Sequence, residues 1–174
     1  PNASYHGLIF NDVFGKKGLQ IYRQLMEKEW ARVPALKPGE NKSFGGNRSK
    51  ITRMMESLAN TEGDIEKLVE VKSRDLARQY NYYEIAQIYA EKKQFDKALE
   101  WAERGISDFP PTEKLDYRLG EFLANEYHRR NRHDEAMQII WKQFAERTEL
   151  ASYNKLKEHA DKVKPVSTWQ TWRE

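Results

Sequence analysis

The fold is decided by residues 82–98, which read YYEIAQIYAEKKQFDKA. Residues 120–136, GEFLANEYHRRNRHDEA, repeat the same pattern at an offset of 38 positions. The matched positions are Ile85-Ala86 with Leu123-Ala124, Tyr89 with Tyr127, Asp96 with Asp134, and Ala98 with Ala136. We interpret each copy as an antiparallel helix pair, in which small Ala86 and Ala98 let the two helices approach closely. Tyr89 fills the space between them, and an aspartate, Asp96 in the first copy, is predicted to cap the second helix.

These residue types and spacings resemble the tetratricopeptide repeat, whose pattern runs through a large residue, Leu-Gly or Leu-Ala, Tyr, Ala and Pro. The first copy satisfies the pattern at Tyr82, Ile85, Ala86, Tyr89, Phe95, Ala98 and Pro110. It departs at Gly105, where Ala is usual, and the second copy has Gly120 for the large residue. A third copy could start at Tyr153. The resemblance implies an all-α fold, an α-solenoid of stacked antiparallel helix pairs in a right-handed superhelix.

Glycine and proline, which break helices, divide the chain into a head and a body. Six of nine Gly and three of six Pro fall within the first 46 residues. The sequence therefore predicts an irregular head at 1–46 with one helix, about 17–33, that packs on the body. Residues 47–174 are predicted to be the tetratricopeptide-like body, truncated at its C-terminus.

Within the body, apolar residues recur at helical spacing, and no stretch alternates as a strand would. Helices are predicted from about residue 47 or 49 to 60, from 65 to 71 after the cap Asp64, and then at about 80–92, 96–107, 114–130, 134–146 and 151–163. A further, truncated helix is expected around Trp169 and Trp172.

A second resemblance rests on short blocks in a fixed order. They are Trp30-Ala-Arg-Val-Pro, Ile51-Thr-Arg-Met-Met-Glu, Val71-Lys-Ser-Arg-Asp-Leu76, Glu126-Tyr-His-Arg-Arg and His133-Asp-Glu-Ala136. These blocks resemble the C-terminal region of bacterial SWIM zinc-finger family proteins. In that family the zinc motif is Cys-x-Cys and Cys-x-His, N-terminal to this region. The chain has no Cys, so no zinc ligand is carried over. The resemblance implies a helical domain separated from its finger, and the start at Pro1 is expected for such a fragment.

Composition excludes several classes of function. Without Cys there is no disulfide scaffold, thiolate zinc site or Cys nucleophile. No apolar run reaches the roughly 18 residues of a membrane helix, so no membrane role is expected. The four His stand apart in the sequence, without a His-Glu-x-x-His motif or a nucleophile elbow. The sequence therefore predicts a cytoplasmic, non-enzymatic protein with no catalytic residues, no metal and no organic cofactor.

The first hypothesis for function is a protein- or peptide-binding module, because the first helices of stacked pairs line a concave surface. The predicted groove residues are Tyr83, Gln87, Glu91, Glu121, Asn125, His128 and Arg129. Asn125, His128 and Arg129 stand at i, i+3 and i+4 and share one helical face. An acidic peptide or protein would suit that face. The missing zinc-finger domain of the same chain is another candidate partner.

The alternative hypothesis is an accessory domain that supports nucleic-acid binding by the missing zinc finger. Its basic patch would be Arg129, Arg130 and Arg132, with phosphate contacts as the source of affinity. A net charge of only +3, with acidic residues interspersed throughout, makes this the less favoured hypothesis.

Overall fold

The computed structural model describes residues 3–40 and 47–163. Over these residues the chain forms eight helices and no strand, which confirms the predicted all-α fold. The helices are α1 (Ala3–Trp30), α2 (Asn47–Glu62), α3 (Ile65–Ser73), α4 (Gln79–Glu91), α5 (Phe95–Ser107), α6 (Tyr117–Arg129), α7 (His133–Glu146) and α8 (Leu150–Ala160). The helix predicted around Trp169 and Trp172 lies outside the described residues.

The chain divides into two compact units, Pro1–Asn81 and Tyr82–Glu174. This division differs from the one predicted after residue 46. The physical reason is that α1 packs against α2 and α2 against α3, so these three helices belong to one unit.

The first unit has an apolar core formed by Trp30, Val33, Met55, Leu58 and Val71. α1 is interrupted at Gly15, whose φ of 57° and ψ of 176° suit glycine and few other residues. The predicted range of about 17–33 was wrong at its start, because the helix begins at Ala3 and continues across the break at Gly15. It ends at Trp30. Its end is held by Arg74, whose Nη1 donates to the carbonyl oxygens of Trp30 at 2.6 Å and Val33 at 2.9 Å.

The sequence predicts helix caps at Asp64 and Asp96, and the structure confirms the first of them. Asp64 begins α3 by accepting a hydrogen bond from the backbone N–H of Lys67 at 2.9 Å, as predicted. The prediction for Asp96 is wrong, because α5 begins one residue earlier and Gln94 occupies the cap position without a side-chain hydrogen bond. The Asp96 carboxylate instead accepts a hydrogen bond from Arg130 at 2.8 Å.

In the second unit, the turns inside the two helix pairs have the same backbone geometry. Lys93 and Asn131, which are 38 positions apart, both adopt the left-handed conformation, with φ of 60° and 59°. The N–H that follows each of them donates to a carbonyl five residues back at 2.9 Å, from Gln94 to Tyr89 and from Arg132 to Tyr127. This is the pairing of a Schellman motif, which ends a helix at a residue in the left-handed region. The repeat found in the sequence is therefore also a repeat of backbone structure.

The small and aromatic residues predicted to lie between the paired helices are buried, as expected. The exposed fractions are 0% for Ala86, Ala98, Ala124 and Ala136, 3% for Tyr89 and 9% for Tyr127. Most of these side chains belong to one core cluster, which also contains Leu119 and Leu123. Helices that meet through alanine bring their backbones close together, so the space between them is sensitive to any added atom.

Two glycines mark the places where the sequence departs from the tetratricopeptide pattern, and the structure explains both. A Cβ at Gly105 would lie 2.8 Å from Leu119 Cδ2 and 2.8 Å from Tyr82 Cβ. A Cβ at Gly120 would occupy the space taken by the amide group of Gln143. That amide donates to the carbonyl oxygens of Asp116 and Tyr117, at 3.3 Å in each case.

We expect Gly105→Ala to lower the free energy of unfolding by about 1–3 kcal/mol, because the new methyl group meets the fixed base of Tyr82. Gly120→Ala is the matched control. Its methyl group meets the end of a flexible glutamine, and alanine is the better helix former by about 1 kcal/mol. Urea unfolding of both variants measures the difference. Equal stability of the two variants would contradict the close approach at Gly105.

Candidate functional site

The face of α6 that was predicted to line an open groove is in contact with α8 and the residues that follow it. Lys155 Nζ of α8 donates to Glu121 Oε1 at 3.2 Å. Lys162 Nζ, just beyond α8, donates to Asn125 Oδ1 at 2.9 Å. The charged and polar groups of this face are therefore partnered within the same unit.

Three histidines meet at this contact between α6, α7 and α8. The Nδ1 atoms of His128 and His133 lie 2.8 Å apart, and Nε2 of His128 lies 3.1 Å from Nδ1 of His159. The rings of His128 and His159 are stacked, with centroids 5.2 Å apart and an angle of 27° between their planes. His159 is completely buried. We call these three residues the histidine chain.

The histidine chain ends on a carboxylate. His159 Nε2 lies 3.4 Å from Glu121 Oε2, an ionic contact, and among the described residues neither atom has a hydrogen-bond partner. The interaction with His159 is the main reason why the pKa of Glu121 falls to about 2. Burial, together with the nearby His159, His133 and Lys162, lowers the pKa of His128 to about 4. At neutral pH Glu121 is therefore ionised and His128 is neutral.

The arrangement of the ring nitrogens does not suit a metal ion. His128 contacts His133 through Nδ1 and His159 through Nε2, which lie on different sides of its ring. A bound metal needs three or four donor atoms that converge on one point. Among the described residues, no three metal-binding side chains are grouped in that way.

The remaining groove residues face other neighbours. The Tyr83 ring meets the ring of Phe122 edge-on at 6.1 Å, and Gln87 and Glu91 are exposed on α4. Arg129 lies over the ring of Phe95, 4.6 Å from its centroid. Although Asn125, His128 and Arg129 share a sector of α6, their side chains do not form one surface.

The arginines of the predicted basic patch are each paired with carboxylates. Glu126 is 4% exposed, and its two oxygens accept hydrogen bonds from Arg129 and Arg130, at 2.8 Å in each case. Arg130 also donates to Asp96 at 2.8 Å and so connects α6 to α5.

Arg132 has two acidic partners of its own. It makes a bidentate contact with Glu135 at 2.7 and 2.8 Å and donates to Glu103 at 3.1 Å. Its guanidinium lies 4.1 Å from the centroid of the Tyr127 ring, and the Tyr127 hydroxyl donates to Glu103 at 3.0 Å. The three guanidinium groups of the patch thus face four carboxylates.

A cleft of about 630 Å³ opens at the other end of α6, between the beginning of α6, the end of α7 and the beginning of α8. Its lining combines apolar side chains with three cations and two carboxylates: Leu115, Tyr117, Ile140, Phe144, Ala151, Lys114, Arg147, Lys155, Glu146 and Glu149, together with Gln143 and Ser152. The size lies in the range of pockets that hold a small ligand or a few residues of a peptide.

Large apolar side chains are exposed around this cleft. Tyr117, which lines it, is 51% exposed. Trp141 and Tyr153 are 38% and 43% exposed, and their rings lie 5.7 and 6.4 Å from the ring of Phe144. No local sequence pattern marks this surface, because its aromatic residues come from three different helices. Exposed apolar patches of this kind mark interaction surfaces.

No family model matches this chain, and no curated protein matches it significantly in sequence. None of the described helices has both the length and the apolar character that crossing a membrane requires.

The arginine pairs make a prediction about folding. We expect Glu126→Gln to lower the free energy of unfolding by about 1–3 kcal/mol, because it removes the charge and replaces one of two buried acceptor oxygens with a donor that faces an arginine. Asp96→Asn makes the same chemical change at a fully exposed carboxylate of the same network and should cost about 0.5 kcal/mol or less. Thermal unfolding at fixed pH and salt compares the two. A larger effect at Asp96 would show that Glu126 does not organise the network.

Proposed function

We propose that the second unit is a tetratricopeptide-like protein-interaction module that binds a short, extended peptide in the cleft between α6, α7 and α8. The observation that carries the proposal is the cleft itself, about 630 Å³ in volume and bordered by exposed aromatic rings. The repeated turn geometry at Lys93 and Asn131 supports the assignment to stacked helix pairs in a solenoid.

The chemistry of the cleft favours a peptide with an apolar side chain next to a carboxylate. Leu115, Ile140 and Phe144 supply apolar surface for the first group. Cationic side chains outnumber acidic ones in the lining. Arg147, whose side chain is 78% exposed, pairs with Glu149 through Nε at 3.5 Å, and its Nη groups can donate to the second. Charge-assisted hydrogen bonds of this type are about twice as strong as neutral ones.

The proposal is for binding without catalysis. Tyr117 and Ser152 bring hydroxyl groups to the cleft, but no histidine is part of its lining. The histidines that could act as general bases contact one another and Glu121 instead. A hydroxyl without a neighbouring base is a weak nucleophile.

The nucleic-acid hypothesis receives less support. Phosphate binding needs guanidinium groups whose charge is not already balanced, and Arg129, Arg130 and Arg132 are each paired with a carboxylate. Membership of a larger SWIM zinc-finger protein remains part of the proposal on the sequence resemblance alone. In that setting an acidic segment of the parent chain is one source of the bound peptide.

A display library of random heptapeptides, selected on the whole chain at neutral pH, tests the proposed function. We expect enrichment of peptides in which an apolar residue adjoins Asp or Glu. Arg147→Glu should weaken a selected peptide by roughly 10-fold or more, the value of a lost charge-assisted hydrogen bond. Calorimetry with a synthetic copy of that peptide measures the change.

Lys142→Glu is the matched control. It also replaces a positive charge with a negative one, at an exposed position of α7 outside the cleft lining. It should change the affinity less than about twofold, since long-range effects between exposed charges are screened by salt. The cleft is not the binding site if the two variants weaken binding equally, or if the selection enriches no common pattern.

A further inference from the structure

The contacts within the histidine chain determine which ring nitrogens carry a hydrogen. Each contact between two imidazoles has room for one hydrogen, which belongs to one ring or to the other. Glu121 is an acceptor only, and a ring lone pair would be repelled by the carboxylate 3.4 Å away, so Nε2 of His159 carries the hydrogen. A neutral His159 then accepts at Nδ1 from Nε2–H of His128. His128 in turn accepts at Nδ1 from Nδ1–H of His133. All three tautomers follow from the one carboxylate.

The same count limits how many protons the chain can take up. The two contacts between rings hold one hydrogen each, and the outer nitrogens, Nε2 of His133 and Nε2 of His159, hold one each. The intact chain therefore carries at most four hydrogens, which is one more than three neutral rings require. A second extra proton would place two N–H groups face to face. Three separated histidines can take up three extra protons, so opening the chain releases two additional binding sites for protons.

We propose that the histidine chain is a pH-operated latch that holds α8 against α6 at neutral pH and releases it in mildly acidic solution. The latch is formed by residues of three helices: His128 and Glu121 of α6, His133 of α7, and His159 of α8. Because the opened form binds two more protons, acid favours it by mass action.

The charged groups around the chain do not all act in one direction, because a cation lies near His128 and a carboxylate lies near His159. Lys162, which follows α8, lies close enough to His128 to disfavour a second positive charge there. On the other side, Glu121 is shared between His159 and Lys155, and Lys155 also pairs with Glu158 at 2.9 Å. The pKa of Glu121 is about 2, so Glu121 is ionised in mildly acidic solution. Lys155 lowers the pKa of Glu158. Neither of these carboxylates therefore takes up a proton between pH 7.5 and 5.5.

α8 contributes little apolar surface to the core, which gives its polar contacts more weight. Its buried residues are His159 and Ala160, and Leu156 is half-buried against the core of the unit. Leu150 is 74% and Tyr153 43% exposed. α8 packs mainly against α7, and its polar contacts with α6 add to that packing.

A consequence for ligand binding rests on the proposed function. Ala151, Ser152 and Lys155 of α8 form one wall of the cleft. Release of α8 dismantles that wall, so a peptide bound at neutral pH should dissociate in mild acid. The experiments below observe the latch without any ligand, so failure of the latch and failure of the proposed function give different results.

The tautomers are measured first, by ¹⁵N spectra of the imidazole nitrogens of the whole chain at pH 7.5. Replacement of His6 by Gln removes the remaining histidine signal. The latch requires Nε2–H on His159 and His128, and Nδ1–H on His133, which is the less common tautomer of free histidine. A different set of tautomers, or a charged ring at this pH, would overturn the proposal.

The release of α8 is measured by amide hydrogen exchange at pH 7.5 and 5.5, corrected for the intrinsic rates and referred to α5. Because the opened form binds two additional protons, the equilibrium constant for release of α8 should rise on the order of 100-fold from pH 7.5 to 5.5. His128→Gln keeps a donor and an acceptor but leaves two titrating rings, and it should reduce the rise to about 10-fold. Equal protection of α8 in the wild type at both pH values would overturn the latch, even if the variant failed to fold.

Discussion

The polar contact between α6 and α8 is the interaction on which the proposed binding surface of the second unit depends. Glu121 accepts from Lys155, lies 3.4 Å from His159, and thereby sets the direction of every hydrogen bond in the histidine chain. α8 supplies one wall of the cleft, yet its apolar residues are mostly at the surface. A helix held by hydrogen bonds in a partly buried site responds to pH in a way that a helix held by apolar packing does not.

The packing between α4, α5, α6 and α7 has a different physical basis, and for that reason it could be predicted from the sequence. Small residues such as Ala86 and Ala98 recur at an offset of 38, and their burial follows from the periodicity of a helix pair. Helix boundaries from α2 to α8 were predicted to within a few residues, whereas α1 begins at Ala3 and not at about residue 17. The cap at Asp64 was predicted correctly. The cap at Asp96 was not, because its carboxylate pairs with Arg130, which is 34 residues away in the sequence.

The functional surface was harder to predict, because it depends on which helix covers which. Glu121, Asn125 and His128 have the spacing of an exposed face, and no local pattern shows that α8 lies on them. The histidines seemed scattered because His159 is 31 residues from its partner His128. Arg129, Arg130 and Arg132 resemble a basic patch only until their acidic neighbours on α5, α6 and α7 are known. In each case the missing information is a contact between side chains that are distant in sequence.

The central claim, that α8 is held to α6 through the histidine chain, is tested most directly by a double-mutant cycle between His128 and His159. The free energy of unfolding is measured at pH 7.5 for the wild type, His128→Ala, His159→Ala and the double variant. The account predicts a coupling energy of about 0.5 kcal/mol or more, because each single change removes the same contact. Strict additivity of the two changes would contradict it.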